Sequence, residues 1–418
     1  MHSVRESASA REQTEPAAPG RLLAEASLAE RFGPVLMLTI IFFVHFMVRQ
    51  MTGPLLPAME ADLGLTHTQG GFFVLLTGVG FCLSQVGAAF LAGSWGYRRC
   101  ILVSLLGAAA ASLALGLLEA VWALYLGFLA LGVAGGIYVP SGISLITQII
   151  RPSDWGKAMG LHELAPNLAL ISVPFLATAA VSIGSWRQGY LLLAAVLTVL
   201  GAVYAWQGID AADRPVAPNL SRIRTIAASP RFWCLALLLS LAVGVETGVY
   251  AMTPLYLVNE RAFGLAEANR LLGLSRIPGL FMVLLAGWIT DRLGPSMAVI
   301  MALAVTGAAI VFLAIGPAYG VAPAVFVQAA ASACLFPPIL SMASAISTPE
   351  SRTLTLSLSL AIAPVVGGGL LPAGIALAGD HGAFGAGMAA TGILVAAGIA
   401  LVRFMNRRPT EGAETATR

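Results

Sequence analysis

Hydrophobic and polar positions along this chain fall into long blocks, in which apolar segments of membrane-spanning length alternate with mostly short polar connections. A transmembrane helix needs about 20 mainly apolar residues, so each apolar segment is predicted to form one membrane helix. The pattern therefore predicts an all-α membrane protein with twelve transmembrane helices. The predicted helices are 33–57, 68–92, 101–118, 120–147, 158–182, 188–206, 232–257, 268–290, 296–316, 320–346, 353–378 and 383–404.

A longer polar stretch in the middle of the chain separates six predicted helices from the other six. The two halves echo each other, because a Trp-Gly-Tyr-Arg-Arg turn around Gly96 has a counterpart around Gly294, and Pro54-Leu55 has one in Pro254-Leu255. Such internal duplication is typical of transporters whose two halves move around a site near the membrane midplane. The predicted organisation is a cytoplasmic tail (1–32), an N-terminal six-helix bundle (33–206), a cytoplasmic central loop (207–230), a C-terminal six-helix bundle (231–404) and a second cytoplasmic tail (405–418).

Composition and charge agree with a membrane protein. The chain is 58% hydrophobic and only 10% charged, which excludes an ordinary soluble globule. Most of the 23 Lys and Arg residues fall in the tails and in the connections of one side, so the positive-inside rule predicts that both termini are cytoplasmic. We expect a multi-pass protein of a bacterial-type inner membrane, with the lipid bilayer and not nucleic acid as its partner.

The sequence offers no pattern for metal or nucleotide chemistry. Its four cysteines show neither CxxC spacing nor clustering with histidine. His162-Glu163 begins like a zinc-protease helix, but Pro166 stands where the second histidine is needed. A nucleotide-binding loop is also missing. We therefore predict no metal, no cofactor and no enzymatic activity.

Charged and titratable residues interrupt the apolar field at a few places inside predicted helices. A charge near the middle of a bilayer costs about 2.5–3.5 kcal/mol even on lenient insertion scales, so it usually faces the protein interior or a watery path. We expect the function to depend on these residues. They are His45, Arg49, His162, Glu163, Glu246 and Arg276, in predicted helices 1, 5, 7 and 8.

One motif carries a family resemblance. The loop after the eighth segment reads G-x-x-x-D-R-x-G at Gly287, Asp291, Arg292 and Gly294. With this loop the chain resembles the major facilitator superfamily from about residue 33 to 404. The first-half copy of the motif is incomplete, because Gly93 stands where the aspartate is expected. The resemblance implies two pseudo-symmetric six-helix bundles with alternating access, and it implies a conformational role for this loop.

The same resemblance implies that helices 1, 4, 7 and 10 line a central cavity. Arg49 and Arg276 are permanently charged planar forks, which suit a carboxylate or phosphate group. An arginine in helix 8 is similar to the anion-binding residue of oxalate and monocarboxylate carriers, and one in helix 1 resembles that of organophosphate and sugar-acid carriers. These observations predict an anionic substrate held by Arg49 and Arg276. The alternative is that Arg49 pairs permanently with Glu246 as a gate or strut.

Other polar positions complete the predicted site. Glu246 lies one helical turn before Tyr250, and a carboxylate near an arginine can couple proton binding to substrate binding. His45 precedes Arg49 by one turn and can donate to substrate or relay protons. We predict substrate contacts from His45, Tyr138 and Tyr250 in addition to the two arginines. Proton coupling or gating is assigned to Glu246, Glu163 and His162, and glycine runs such as 367–369 are assigned to close helix packing.

The sequence thus predicts a monomeric secondary transporter that takes up a small organic anion, most simply a carboxylate. Proton symport is the favoured coupling, with sodium as the alternative ion. One rival is an exporter of drugs or metabolites, although the fifth helix lacks the Gly-Pro signature typical of drug/proton antiporters. The other rival is a non-transporting membrane sensor, which would need a longer cytoplasmic segment than this chain offers.

Overall fold

The computed structural model describes residues 26–211, 220–346 and 349–406. All regular secondary structure within these ranges is helical. Twelve helices are long and apolar enough to cross a membrane, so the predicted all-α architecture is confirmed. They are α1 (Phe32–Leu63), α2 (His67–Trp95), α3 (Tyr97–Leu117), α4 (Val121–Ile149), α5 (Pro152–Ile183), α6 (Trp186–Gln207), α7 (Pro230–Glu260), α8 (Leu265–Leu293), α9 (Pro295–Ile315), α10 (Ala318–Ser344), α11 (Leu354–Asp380) and α12 (Phe384–Met405).

Some predicted boundaries differ from the observed ones. Helix α1 continues to Leu63, six residues beyond the predicted end at 57, because Pro57 is accommodated inside the helix. A short helix, Leu220–Ala227, occupies part of the stretch predicted as a polar central loop. The rest of that loop from 212 to 219, the first 25 residues of the predicted N-terminal tail, and residues 407–418 of the predicted C-terminal tail lie outside the described residues.

The repeat seen in the sequence has a structural counterpart at two glycines. Gly96 joins α2 to α3 with φ 79° and ψ 162°, and Gly294 joins α8 to α9 with φ 80° and ψ 155°. A positive φ favours glycine because a side chain is strained there. The two halves therefore use the same one-residue turn at equivalent positions.

Glycines also bring pairs of helices into backbone contact. In the N-terminal half, Gly132 of α4 lies against the carbonyl of Thr77 in α2. In the C-terminal half, Gly367 of α11 lies against the carbonyl of Ser240 in α7, and Gly369 packs on Leu75 of α2. The prediction that the 367–369 run serves close helix packing is confirmed for these two glycines.

Three membrane-spanning helices, α7, α8 and α11, are interrupted within their length. Helix α7 contains a π-helical turn, Gly244–Gly248, which faces a second π-helical turn, Val366–Leu370, in α11. Within the π turn of α7, the carbonyl of Val245 accepts a hydrogen bond from the side-chain amide of Gln328 in α10 at 2.8 Å. Helix α8 breaks at Arg276, since Pro278 lacks the amide hydrogen that would continue the helical ladder.

The two bundles contact each other closely on one side of the molecule. We call this the far side, meaning the end where α1 ends and α2 begins. There Thr52–Leu63 of α1 packs on Val249–Glu260 of α7, and Leu265–Ser275 of α8 packs on α5. Asn269 crosses between the bundles and donates to the carbonyl of Pro54 at 3.2 Å. The bundles are thus closed against each other on the far side.

Candidate functional site

A small cavity lies between the two bundles, next to the π-helical turns. Its volume is about 40 Å³. This space holds a few water molecules, not an organic ion, so a substrate can enter only if the bundles separate here. The lining residues come from α1, α2, α7 and α11, and they are Arg49, Gln50, Val74, Thr77, Gly78, Phe81, Thr247, Pro364 and Gly368.

Arg49 reaches this cavity with an unpartnered guanidinium group. Its Cζ lies 4.3 Å from the centroid of the Phe81 ring and 5.2 Å from that of Phe46. Its stem runs past Gly135 of α4, where a Cβ would approach the Arg49 Cδ to 2.9 Å. Within the described ranges, the guanidinium forms neither a hydrogen bond nor an ion pair with a protein group. Aromatic faces are therefore its main protein contacts, and its hydrogen-bond donors stay available for a ligand.

Arg276 sits at the break of α8 and is 7% exposed. Its Cζ lies 4.9 Å from the centroid of the Tyr250 ring, and its Nε is buried without a hydrogen-bond partner. Glu246 is close enough to act on Arg276 electrostatically, but no nitrogen–oxygen pair between them is within 4.0 Å. Among the described residues, this second arginine in the inter-bundle region thus has no ion-pair partner.

The alternative in which Arg49 pairs permanently with Glu246 is not realised in this structure. Glu246 lies in the π-helical turn of α7 and is partly buried. The charged groups that act on it are Arg276 and, more weakly, Glu163. The structure therefore associates the acid with Arg276 instead of Arg49.

The two arginine positions are neighbours. Phe46, which contacts Arg49, also packs against a small buried cluster of Leu170, Tyr250 and Leu272. Tyr250 in turn lies beneath Arg276, and its hydroxyl donates to the carbonyl of Leu170 at 3.0 Å. A continuous path of packed side chains through Phe46 and Tyr250 therefore connects Arg49 to Arg276.

His45 and Tyr138 lie inside the N-terminal bundle and are not among the residues that line the cavity. Tyr138 donates its hydroxyl hydrogen to the carbonyl of Leu38 at 2.6 Å, and its ring stacks on that of His45 with centroids 5.4 Å apart. Ser104 donates to the carbonyl of Ala134 at 2.6 Å and lies 3.1 Å from the His45 Nε2. Because the serine hydrogen is already used, the His45 Nε2 must be the donor, which leaves the buried Nδ1 without a partner.

His162 and Glu163 point into different environments, as expected for adjacent residues of a helix. His162 is fully buried, stacks on Phe42 with centroids 4.5 Å apart, and places its Nε2 3.2 Å from the Tyr138 hydroxyl. The Glu163 side chain is 56% exposed, and its Oε1 lies 3.8 Å from the His162 Nδ1. Of these two side chains, only that of Glu163 is thus exposed at the protein surface.

The predicted conformational loop ends α8. Gly294 has the positive φ described above, and Arg292 places its Cζ 5.1 Å from the Trp288 ring centroid. In the first half, where Gly93 replaces the expected aspartate, Asp210 from beyond α6 accepts a hydrogen bond from the backbone amide of Arg98 at 3.2 Å. An acid from the central connection thus lies at the start of α3.

Sequence reasoning missed the uncharged part of the cavity. Gln50, Thr77 and Thr247 line it beside Arg49, and the Gln50 Nε2 is buried without a partner. The available signal was adjacency, since Gln50 follows Arg49 and Thr247 follows Glu246.

Comparisons with known proteins agree with this architecture. The family model of the Major Facilitator Superfamily matches residues 38–325. The chain is 23% identical over 276 residues to a Cupriavidus necator protein named "Probable sulfoacetate transporter", an alignment that covers 62% of this chain and 64% of the relative. It is 26% identical over 272 residues to an uncharacterised MFS-type transporter of Mycobacterium tuberculosis, covering 62% of this chain and 58% of the relative. These alignments span less than two thirds of either relative.

Among solved structures, the fold is similar to a bacterial homologue of the human lysosomal transporter Spinster, in an inward-facing and occupied conformation. The TM-score is 0.77 at 16% identity, and the match covers 91% of this chain and 98% of that one. The family consists of membrane transporters and not of enzymes. With its twelve membrane helices in two bundles and the matching family model, the chain belongs to the Major Facilitator Superfamily.

Proposed function

We propose that this protein is a secondary active transporter that takes up a small organic anion by alternating access. The observation that carries the proposal is the Arg49 guanidinium, which has no hydrogen-bonding or charged partner in the part of the chain that the structure describes and faces a cavity between the two bundles. A buried cation without a counter-charge is costly, so the site gains stability when an anion occupies it. The planar fork favours a carboxylate or a similar oxyanion.

Arg276 supports a second contact with the substrate. It is connected to Arg49 through the packed side chains of Phe46 and Tyr250, and its buried Nε has no hydrogen-bond partner among the described residues. With Glu246 ionised, these three side chains carry one net positive charge, which matches one anionic group. The name of the Cupriavidus relative adds sulfonate-bearing carboxylates to the candidates. Gln50 and Thr247 supply uncharged donors at the same cavity.

Proton coupling is proposed through Glu246. A substrate anion that engages Arg276 competes with Glu246 for the same positive charge. Two negative groups beside one arginine are unfavourable, so anion binding favours uptake of a proton by the site. This linkage gives symport of an anion with a proton, and sodium is the alternative ion. We propose that three buried side chains support this region from inside the N-terminal bundle, namely His45, Tyr138 and His162. Glu163, near the start of α5, is proposed to act as a gate on the cytoplasmic side.

Orientation follows from the basic residues. We propose that both termini are cytoplasmic, in a bacterial-type inner membrane, and that the protein acts as a monomer. The far side then faces outward. The Gly287, Asp291, Arg292 and Gly294 loop lies on the cytoplasmic side and is proposed to act in the conformational change.

The experiment combines a ligand screen with a transport assay. Purified protein is first screened by thermal shift against small carboxylates, sulfonates, phosphates and organic cations. The anion that stabilises the protein is then tested for uptake into proteoliposomes with an imposed pH gradient. We expect accumulation that depends on the gradient, and we expect Arg276→Gln to lower the uptake rate at least about tenfold.

Arg270→Gln is the matched control, because Arg270 lies on the same helix and is exposed. Stabilisation by cations alone, or an Arg276→Gln variant with wild-type uptake, would contradict the proposal. Accumulation only with the gradient reversed would instead identify an exporter.

A further inference from the structure

A cluster of titratable side chains on the far side spans both bundles and lies outside the candidate site. Glu60, near the end of α1, places its Oε2 2.7 Å from the Nδ1 of His67, at the start of α2. Asp380, at the end of α11, accepts from the backbone amide of His67 at 2.7 Å and from that of Thr68 at 2.9 Å. The cluster therefore joins α1 and α2 of one bundle to α11 of the other.

Asp380 completes the hydrogen bonding at the start of α2 from the opposite bundle. The first amides of a helix have no partner within the helix. Thr66 serves the amide of Gln69 through a capping box. The amides of His67 and Thr68 are both satisfied by Asp380, and a carboxylate is also favoured there by the helix dipole. Separating the bundles on the far side would leave these two amides without their partner.

The Glu60 carboxylate and the His67 imidazole form a close, partly buried pair. Glu60 is 9% exposed, and its Oε1 is buried without a hydrogen-bond partner. From α11 the pair faces the negative Asp380, and from α12 it faces the uncharged ring of Phe384, whose centroid lies 5.4 Å from that of His67.

Other titratable groups nearby are engaged elsewhere. Asp62 accepts from the Trp186 Nε1 at 2.9 Å and lies 3.6 Å from Arg187, both on α6. The His381 Nδ1 lies 2.9 Å from the carbonyl of Leu377. The charges that act on the pair are thus those of Glu60, His67 and Asp380.

We propose that the Glu60–His67 pair is a proton-binding site and that, together with Asp380, it forms a latch that closes the far side when the proton is bound. With one shared proton, the pair carries no net charge and tolerates Asp380 across the interface. Without that proton, Glu60 and Asp380 are two neighbouring carboxylates with no positive charge beside them, and their repulsion favours separation of the bundles. Closure is thereby linked to proton uptake.

The latch gives the proposed transport cycle a second proton-dependent step. If the far side faces outward, a proton arriving from outside closes the outer entrance behind the substrate. This role in uptake rests on the proposed function, whereas the latch itself is independent of substrate identity and of Arg49. A failure of the latch and a failure of anion transport are therefore distinguishable.

The test measures the distance between the bundles on the far side. Spin labels are attached to ketone-bearing amino acids at Ser182 of α5 and Ala266 of α8, two exposed positions, so that the native cysteines stay untouched. Distance distributions of the purified protein in lipid nanodiscs are recorded without substrate between about pH 6 and about pH 8.5, the range in which histidine and perturbed carboxylates titrate.

For the wild type we expect a single short distance at low pH and a growing long-distance population at high pH, changing by up to about tenfold per pH unit. Asp380→Asn removes the repelling charge but also the two-oxygen acceptor, so the long distance is expected at both pH values. Glu60→Gln keeps a neutral side chain and is expected to retain the short distance at both.

Glu119→Gln is the control, since Glu119 is an exposed acid of the far side. It is expected to behave as the wild type does. The latch is refuted if Asp380→Asn gives the wild-type distribution at both pH values, or if Glu60→Gln keeps the wild-type pH dependence. Because these two variants change different helices, failure of one to fold leaves the other to decide.

Discussion

Glu246 and Thr247 are consecutive residues of α7, and the π-helical turn that carries them serves both arginine positions. Glu246 acts electrostatically on Arg276, whereas Thr247 lines the cavity beside Arg49. A π-helical turn is rare and frequently marks a functional site. In the proposed mechanism, this turn therefore lies beside both arginines that contact the substrate. A shift of the turn on substrate binding would change the contact between α7 and α11.

Replacing Arg49 is expected to stabilise the protein while abolishing its transport activity. Arg49→Met removes an unpartnered charge but keeps a long side chain that packs on Phe81. We expect the midpoint of thermal unfolding in the absence of substrate to rise by about 2 °C or more. Arg270→Met, at an exposed position, is expected to leave the midpoint unchanged. A lower midpoint for Arg49→Met would show that the arginine is a structural strut.

Neutralising Glu246 is expected to uncouple transport from protons. Glu246→Gln keeps the size of the side chain but cannot release or take up a proton at this position. We expect accumulation driven by the pH gradient to be lost, while exchange of internal for external substrate continues at a rate within about threefold of the wild type. The measurement is uptake with and without the gradient in proteoliposomes. Gradient-driven accumulation by the variant would remove Glu246 from the coupling mechanism.

Tyr138 offers a test between a structural and a substrate-binding role. Tyr138→Phe leaves the Leu38 carbonyl and the His162 Nε2 without their shared partner, which is expected to lower stability by about 1–3 kcal/mol. If Tyr138 only supports the bundle, the KM for substrate is unchanged. Tyr319→Phe is the control, because Tyr319 is 86% exposed. A large increase in KM with unchanged stability would instead support the direct substrate contact predicted from the sequence.

The α7–α11 contact is expected to tolerate no side chain at Gly367. A Cβ there would overlap the backbone carbonyl of Ser240. Relieving this overlap requires one helix backbone to move away from the other. Gly367→Ala is therefore expected to reduce the yield of folded protein strongly, as measured by size-exclusion chromatography. Gly374→Ala on the same helix is the control, since nothing lies within 4 Å of its Cβ position. Equal yields of the two variants would show that the helices can separate at little cost.

The sequence predicted the fold well because hydrophobic length and the repeated loop motif are local signals. Helix count and the equivalence of Gly96 and Gly294 needed no tertiary information. The π-helical turn at Glu246 was not predicted, because it lies where Gly244 meets Gly367 of a helix distant in sequence. The break at Arg276 was missed although Pro278 is a local signal for it.

The position of a residue along a helix was easier to infer from the sequence than the face of the helix on which its side chain lies. Arg49 and Arg276 were predicted from depth, and both lie between the bundles. His45 precedes Arg49 by one turn, yet it points into the N-terminal bundle, toward Ser104. The Glu60–His67–Asp380 cluster was also missed, since Asp380 is distant from the other two in sequence and all three lie near helix ends, where charged residues are common.

The central claim is that Arg49 holds the anionic substrate, and direct binding tests it. The dissociation constant of the anion identified by the thermal-shift screen is measured by isothermal titration calorimetry for the wild type, Arg49→Gln and the Arg270→Gln control. We expect a Kd raised at least about tenfold in Arg49→Gln, which corresponds to about 1.4 kcal/mol or more, with no change in the control. An unchanged Kd in Arg49→Gln would contradict it.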